Sequence, residues 1–216
     1  MKTFLRTLVV LASLSPLACS AATTEEYKLG QHYMKVCQAV APANPAKIEV
    51  LEVFAYSCPH CYSLEPLVRK WRERLPADVE FVRSPHSLGM SQNEPRNRAF
   101  YAARMLNVLD RFHPALFDAV HKERKTMATP ADLRALFVQS TGLKGEEFDG
   151  AFGSFAADAG FRRGENAIRD FGITSVPTMV VDGKYFVSPN MSNGLEGLLK
   201  VTDHLIERAR KERAKR

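Results

Sequence analysis

The sequence predicts an α/β fold, one sheet domain interrupted by an all-helical insertion. Three observations carry this. An apolar, β-branched stretch at 47–56 is followed by helical spacing at 59–75 and a second strand at 79–83. From Leu88 to Gly160 strand signals vanish and capped helices follow one another. Strand character then returns as a hairpin within 178–187, ahead of a long amphipathic helix.

The strand–helix–strand order at 47–83, with its short return, reads as a right-handed parallel crossover. Leu64, Leu67, Val68, Trp71 and Leu75 give the crossover helix its apolar face, and Pro66 is expected to kink it near Ser63. Within the insertion, helices are read at 95–107, 113–122, from Thr129-Pro130-Ala131-Asp132 to Gly142, and at 146–159. A further helix runs from Arg162 to Gly172. Asp182-Gly183 joins two short strands in a type I′ turn, and the last helix starts near Asn193. Residues 23–46 form an approach segment, with Tyr27, Tyr33, Met34 and Val36 available to pack on a sheet edge. Cys37 in that segment reads as a half-buried small side chain, with a reactive or intermolecular thiol as the alternative.

Residues 1–22 read as a signal peptide. Lys2 and Arg6 precede an apolar run from Leu8 to Leu17, of a length typical of secretory signals and too short to span a bilayer. Small residues follow, and ordinary cleavage after Ala21 or Ala22 is the favoured reading. Lipid attachment at Cys19 is the alternative, weakened by Pro16 where such motifs carry Leu. Both routes export the chain to an oxidising compartment.

The chemistry-bearing motif is Cys58-Pro59-His60-Cys61, at the step from strand to helix. Two cysteines so spaced read as a redox pair. Pro59 suits the first helical position, which makes Cys58 the cap, its sulfur facing unpaired N–H groups and the positive end of the helix dipole. A thiolate is stabilised there. A zinc reading lacks ligands, because no second CxxC exists and His60 lies between the two sulfurs.

Composition excludes little else. In 216 residues, 45% are hydrophobic and 25% charged, ordinary for a globular chain. The formal charge of +6 falls to +4 once Lys2 and Arg6 are removed. The basic end at 208–216 has no aromatic interleaving, so it reads as a solvated helix end and not a nucleic-acid surface.

Phe54-Ala55-Tyr56-Ser57-Cys58-Pro59-His60-Cys61-Tyr62 is similar to the active-site segment of the DsbA-type periplasmic thiol:disulfide oxidoreductases. Ser175-Val176-Pro177-Thr178, about 115 residues beyond the cysteines, resembles their cis-proline loop, and Lys144-Gly145-Glu146-Glu147-Phe148-Asp149 resembles part of their helical domain. The resemblance covers about residues 26–210. It implies a thioredoxin-like fold with an inserted all-helical domain: signal peptide 1–22, approach segment 23–46, thioredoxin-like parts 47–87 and 161–210, helical insertion 88–160 and basic tail 211–216. It further implies a protein disulfide oxidase acting on unfolded secreted proteins in the periplasm. The enzyme would be a monomer without cofactor or metal, reoxidised by a DsbB-type, quinone-linked membrane partner. A reductase or isomerase of the same fold, and a non-redox holdase, are the rival readings.

The resemblance assigns roles by position. Cys58 is the exposed nucleophile and Cys61 its buried partner. Pro59 and His60 tune the pair, His60 by donating to the thiolate or pairing with it. Glu52 is an acid in an otherwise apolar central strand. Arg83 is its basic counterpart on the next strand, where the family often carries Lys, and Glu65 is a further acid near the site. Pro177 is expected to be cis, with Val176 presenting its backbone to an extended substrate peptide.

Overall fold

The computed structural model describes residues 27–215. The signal peptide assigned to residues 1–22, and Cys19 within it, lie outside the described residues. A five-stranded sheet of order β1-β5-β4-β2-β3 is built from β1 (Met34–Lys35), β2 (Ile48–Phe54), β3 (Val79–Pro85), β4 (Thr178–Val181) and β5 (Tyr185–Val187). β2 and β3 run parallel, joined by helix α1 (Pro59–Arg72), while β4 pairs with β2 and β5 in antiparallel register. The β4–β5 turn holds Asp182 and Gly183 at φ of 54° and 61°, the left-handed pair that a type I′ turn requires. The approach segment ends on the sheet edge: β1 pairs with β5, and Tyr33 is fully buried.

Strand alternation decides what each face of β2 meets. Leu51 and Val53 pack with Val180, Ile168 and Phe171. On the other face Val50 joins a core with Leu64, Val68 and Trp71 of α1 and with Leu198 and Leu205 of the last helix. Phe54 joins a different core, that of the insertion. Glu52 therefore sits between two apolar clusters on one strand face, fully buried.

The insertion comprises α2 (Glu94–Met105), α3 (Leu109–His121), α4 (Pro130–Thr141), α5 (Gly145–Phe152) and the first half of α6 (Phe155–Phe171). Thr129 caps α4 as its sequence predicts, its hydroxyl accepting from Asp132 N–H at 3.2 Å. The expected helix pair at 146–159 and 162–172 is divided elsewhere. The break falls at Gly153–Ser154, where the Ser154 hydroxyl accepts from Ala157 N–H at 3.1 Å and starts a continuous α6. The boundary placed at 160/161 thus lies inside one helix. Gly160, at the expected break, and Gly164 let α6 approach Tyr101 of α2: a Cβ on Gly160 would meet the Tyr101 ring at 2.7 Å.

Smaller differences follow the same pattern. α1, with Pro66 inside it, ends at Arg72, short of Leu75; α3 begins at Leu109, four residues before the expected start. The last helix, α7 (Leu195–Arg213), reaches into the segment expected as a basic tail. Its arginines are docked: Arg210 donates to Asp78 at 2.8 and 3.0 Å, and Arg213 to Asp182. Cys37 is exposed, not half-buried: its N–H donates to the Phe171 carbonyl at 3.0 Å, and its sulfur lies over Gly172, where no side chain covers it.

Candidate active site

Cys58 caps α1. Its extended backbone turns into Pro59 at the first helical position, and its sulfur accepts from the Cys61 N–H at 3.4 Å. The sulfur also lies 3.6 Å from the Val176 carbonyl, to which the thiol donates. Both cysteines are free thiols here, Cys58 half-buried and Cys61 fully buried. The environment separates them. The hydrogen bond with Cys61, opposed by partial burial and aided by the backbone N–H groups of Cys61 and His60 and by the His60 charge, lowers the Cys58 thiol to about 6. Burial drives the Cys61 thiol far above its ordinary value, with further upward pressure from Cys58 and Glu52. Pro59 and His60 are exposed at the helix tip.

The Val176–Pro177 peptide bond is cis, the isomer expected from the sequence. Val176 packs beside Cys58 against the core of the insertion and also against the sheet. Its carbonyl faces the reactive sulfur, leaving this loop as an edge beside Cys58.

Under the redox pair lies a buried charged ladder. Glu52 and Arg83 are register partners on β2 and β3, and Arg83 Nε donates to Glu52 Oε2 at 2.8 Å. The other arm of Arg83 donates to both oxygens of Glu65 on α1, each at 3.1 Å. Arg83 is 9% exposed and Glu52 not at all. The guanidinium carbons of Arg72 and Arg83 stand 5.0 and 5.1 Å from the Phe81 ring centroid. Burial pushes the Glu52 carboxyl up to about 7 against the pull of Arg83. One oxygen of Glu52, Oε1, is buried without a hydrogen-bond partner.

The structure also brings in residues that sequence reasoning missed. His113 and His121 of α3 reach across from the insertion. The Tyr56 hydroxyl lies 2.8 Å from His113 Nδ1, and His113 Nε2 lies 3.1 Å from Glu65 Oε1. His121 Nε2 donates to the Tyr56 carbonyl at 2.9 Å, and its ring stacks on Tyr62 at 4.8 Å. Phe117, midway between the two histidines, packs on Tyr56 and Tyr62. The available signal was the four-residue spacing His113, Phe117, His121, one stripe of a helix. Nothing in the sequence said that this stripe faces the cysteines.

One sulfur that leaves easily beside another that keeps its proton is the combination disulfide exchange demands. On a sheet of this order, with a cis-proline loop against the first sulfur, that pairing defines the thioredoxin-fold thiol:disulfide oxidoreductases. Comparison with known proteins narrows the class. The family model described as the DSBA-like thioredoxin domain matches residues 49–205, and the chain belongs to that family. It is 38% identical over 203 residues to the thiol:disulfide interchange protein DsbA of Pseudomonas aeruginosa, covering 94% of this chain and 95% of that protein. It is 33% identical over 198 residues to the protein of that name from Burkholderia cepacia, covering 91% and 89%. The crystal structure of Pseudomonas aeruginosa DsbA superposes with a TM-score of 0.82 at 37% identity, covering 88% of this chain and 97% of that one. The Neisseria meningitidis oxidoreductase NmDsbA1 gives 0.75 at 25% identity, covering 86% and 95%. The chain is a thiol:disulfide oxidoreductase of the DsbA type.

Proposed function

We propose that this protein introduces disulfide bonds into unfolded secreted proteins, with Cys58 as the sulfur that meets substrate and Cys61 as its resolving partner. The observation that carries the reading is the opposed environment of the two sulfurs, Cys58 lowered to about 6 at a helix N-terminus and Cys61 buried and raised.

A substrate thiolate attacks Cys58 Sγ, the Cys58–Cys61 bond breaks, and the electron pair passes to Cys61, which takes up a proton. A second substrate thiolate attacks the substrate sulfur of the mixed disulfide. Cys58 departs as a thiolate, a good leaving group because its charge is stabilised where it stands. Two substrate thiols become one disulfide, and the enzyme holds the two electrons.

The Val176–Pro177 loop beside Cys58 offers backbone to an extended substrate peptide, and strand-like pairing of that kind accepts many sequences. Pro59 and His60 favour the thiolate from the helix tip, while Glu52, Arg83 and Glu65 set the charge on the buried side. The signal-like sequence at 1–22 supports a periplasmic site of action. No described helix is long and apolar enough to cross a membrane. A quinone-linked membrane oxidant of the DsbB type then restores the disulfide. The protein works as a monomer.

The test is oxidative refolding of a reduced, unfolded disulfide protein with stoichiometric oxidised enzyme. Wild type is expected to restore substrate activity, and the Cys58→Ala, Cys61→Ala double variant to give only the uncatalysed rate. Refolding assistance that survives in the double variant would make the protein a holdase instead.

A further inference from the structure

His113 is a polar side chain on the apolar face of α3, 2% exposed, in the helical insertion and not in the sheet domain that carries the cysteines. Both of its nitrogens are engaged there. Glu65 accepts from Nε2–H, so in the neutral ring Nδ1 holds the lone pair and accepts from the Tyr56 hydroxyl. Burial favours that neutral ring and keeps Tyr56 protonated. The result is a one-way chain of donors, Tyr56 to His113 to Glu65, ending on a carboxylate that also grips one arm of Arg83. The other arm of Arg83 is on Glu52.

Two carboxylates thus share one guanidinium, with Arg72 as a more distant cation, and burial makes full charge on both costly, so one of them holds a proton more readily than an ordinary acid. Glu65 has the His113 donor as well as Arg83. Glu52 has Arg83 Nε alone, with Oε1 unpartnered. We propose that His113 is a positioning residue for the redox site: by fixing Glu65 on Arg83, it leaves the proton shared by the two carboxylates on Glu52, beside Cys61. The charge under the disulfide is then set from the inserted domain.

The other charged groups around the ring are consistent with this. Arg72 on α1 and Arg83 on β3 oppose a charge on the imidazole, and Arg69 of α1, Asp110 and Asp118 of α3, and Lys122 line the same cleft of about 580 Å³ beside it. On the carboxylates, burial opposes the charge on Glu65, yet the His113 hydrogen bond and the cations hold it below its ordinary range, while Glu52 is pushed up to about 7. Without the His113 donor the proton redistributes toward Glu65, Glu52 gains charge, and the Cys58 thiolate is less stabilised.

The inference rests on Cys58–Cys61 being the redox pair, so wild type is measured first. Failure of that pair to equilibrate with glutathione would overturn the functional reading itself. With it established, His113→Leu is expected to raise the pH at which the Cys58 thiolate absorbance appears. It should also make the reduced pair less favoured against glutathione by about threefold or more, the equivalent of roughly half a pKa unit. His113→Gln, which keeps an N–H near Glu65, should retain most of the wild-type behaviour. In a Glu52→Gln background His113→Leu should have no effect. A folded His113→Leu with wild-type titration and equilibrium, or a shift that persists without Glu52, overturns the proposal. Carboxyl NMR titration of reduced wild type decides independently of any variant: Glu52 is expected to carry its proton to higher pH than Glu65, and the reverse order contradicts it.

Discussion

At the scale of single residues, the redox motif was legible because its parts are adjacent. Cys58, Pro59 and Cys61 sit within four positions, and cap geometry follows from proline at the first helical turn. Glu52 and Arg83 were legible only through the resemblance and strand alternation, and the structure pairs them directly. Tyr56 and His113 were not legible, because their meeting depends on how a helix 57 residues away is docked. The buried carboxyl makes a pH prediction. Glu52 is raised in the folded state to about 7, so the folded protein binds more protons than the unfolded chain between about pH 4.5 and 7. Stability from this group is therefore greatest below about 4.5 and falls as pH rises through 7, by up to about 3 kcal/mol. In urea unfolding of oxidised protein across that window, wild type should lose stability relative to Glu52→Gln as pH rises, because only wild type carries this group. Arg83→Met, which strands two carboxylates, is expected to cost about 3 kcal/mol at pH 7 by the same measurement.

At the scale of elements, the Thr129 cap was read well and several other helix ends less well. Thr129 before Pro130 announced α4, and Thr129→Ala should cost about 1 kcal/mol in thermal or urea unfolding. The break expected near Gly160 was misplaced because glycine in a helix pattern signals a terminus or a close approach, and only packing tells which. Here it is close approach. A Cβ on Gly164 would strike the Tyr101 hydroxyl, with Ser84 Oγ at 2.6 Å. Gly164→Ala, a gain of about 1 kcal/mol by helix propensity alone, is expected to destabilise by about 2 kcal/mol because the junction of α6, α2 and β3 must open. An unfolding midpoint at or above wild type would refute the packing account.

At the scale of the whole molecule, the division into a sheet domain and a helical insertion was legible from where strand signals stop and resume. Their relationship was not. α6 serves both parts, its first half on α2 and its second under the sheet through Ile168 and Phe171. α3 delivers His113, Phe117 and His121 onto the segment around Tyr56 and Tyr62. The insertion therefore forms one wall of the redox site. The lowered Cys58 thiol carries a stability consequence for the entire fold. Because its folded value lies below the unfolded one, the reduced protein gains stability that is fully present above about pH 8.5 and lost as pH falls through about 6. Parallel denaturation of both redox forms should find the advantage of the reduced over the oxidised protein larger at pH 7.5 than at pH 5.

The central claim is the direction of electron flow, from substrate thiols into Cys58–Cys61. The most direct test is the reduction potential of the pair, from its equilibrium with glutathione at pH 7. The stabilised Cys58 thiolate predicts a value well above the roughly −270 mV of thioredoxin, with wild type predominantly reduced in mildly oxidising buffer. A potential at or below thioredoxin's would contradict the account and make the protein a reductase on the same fold.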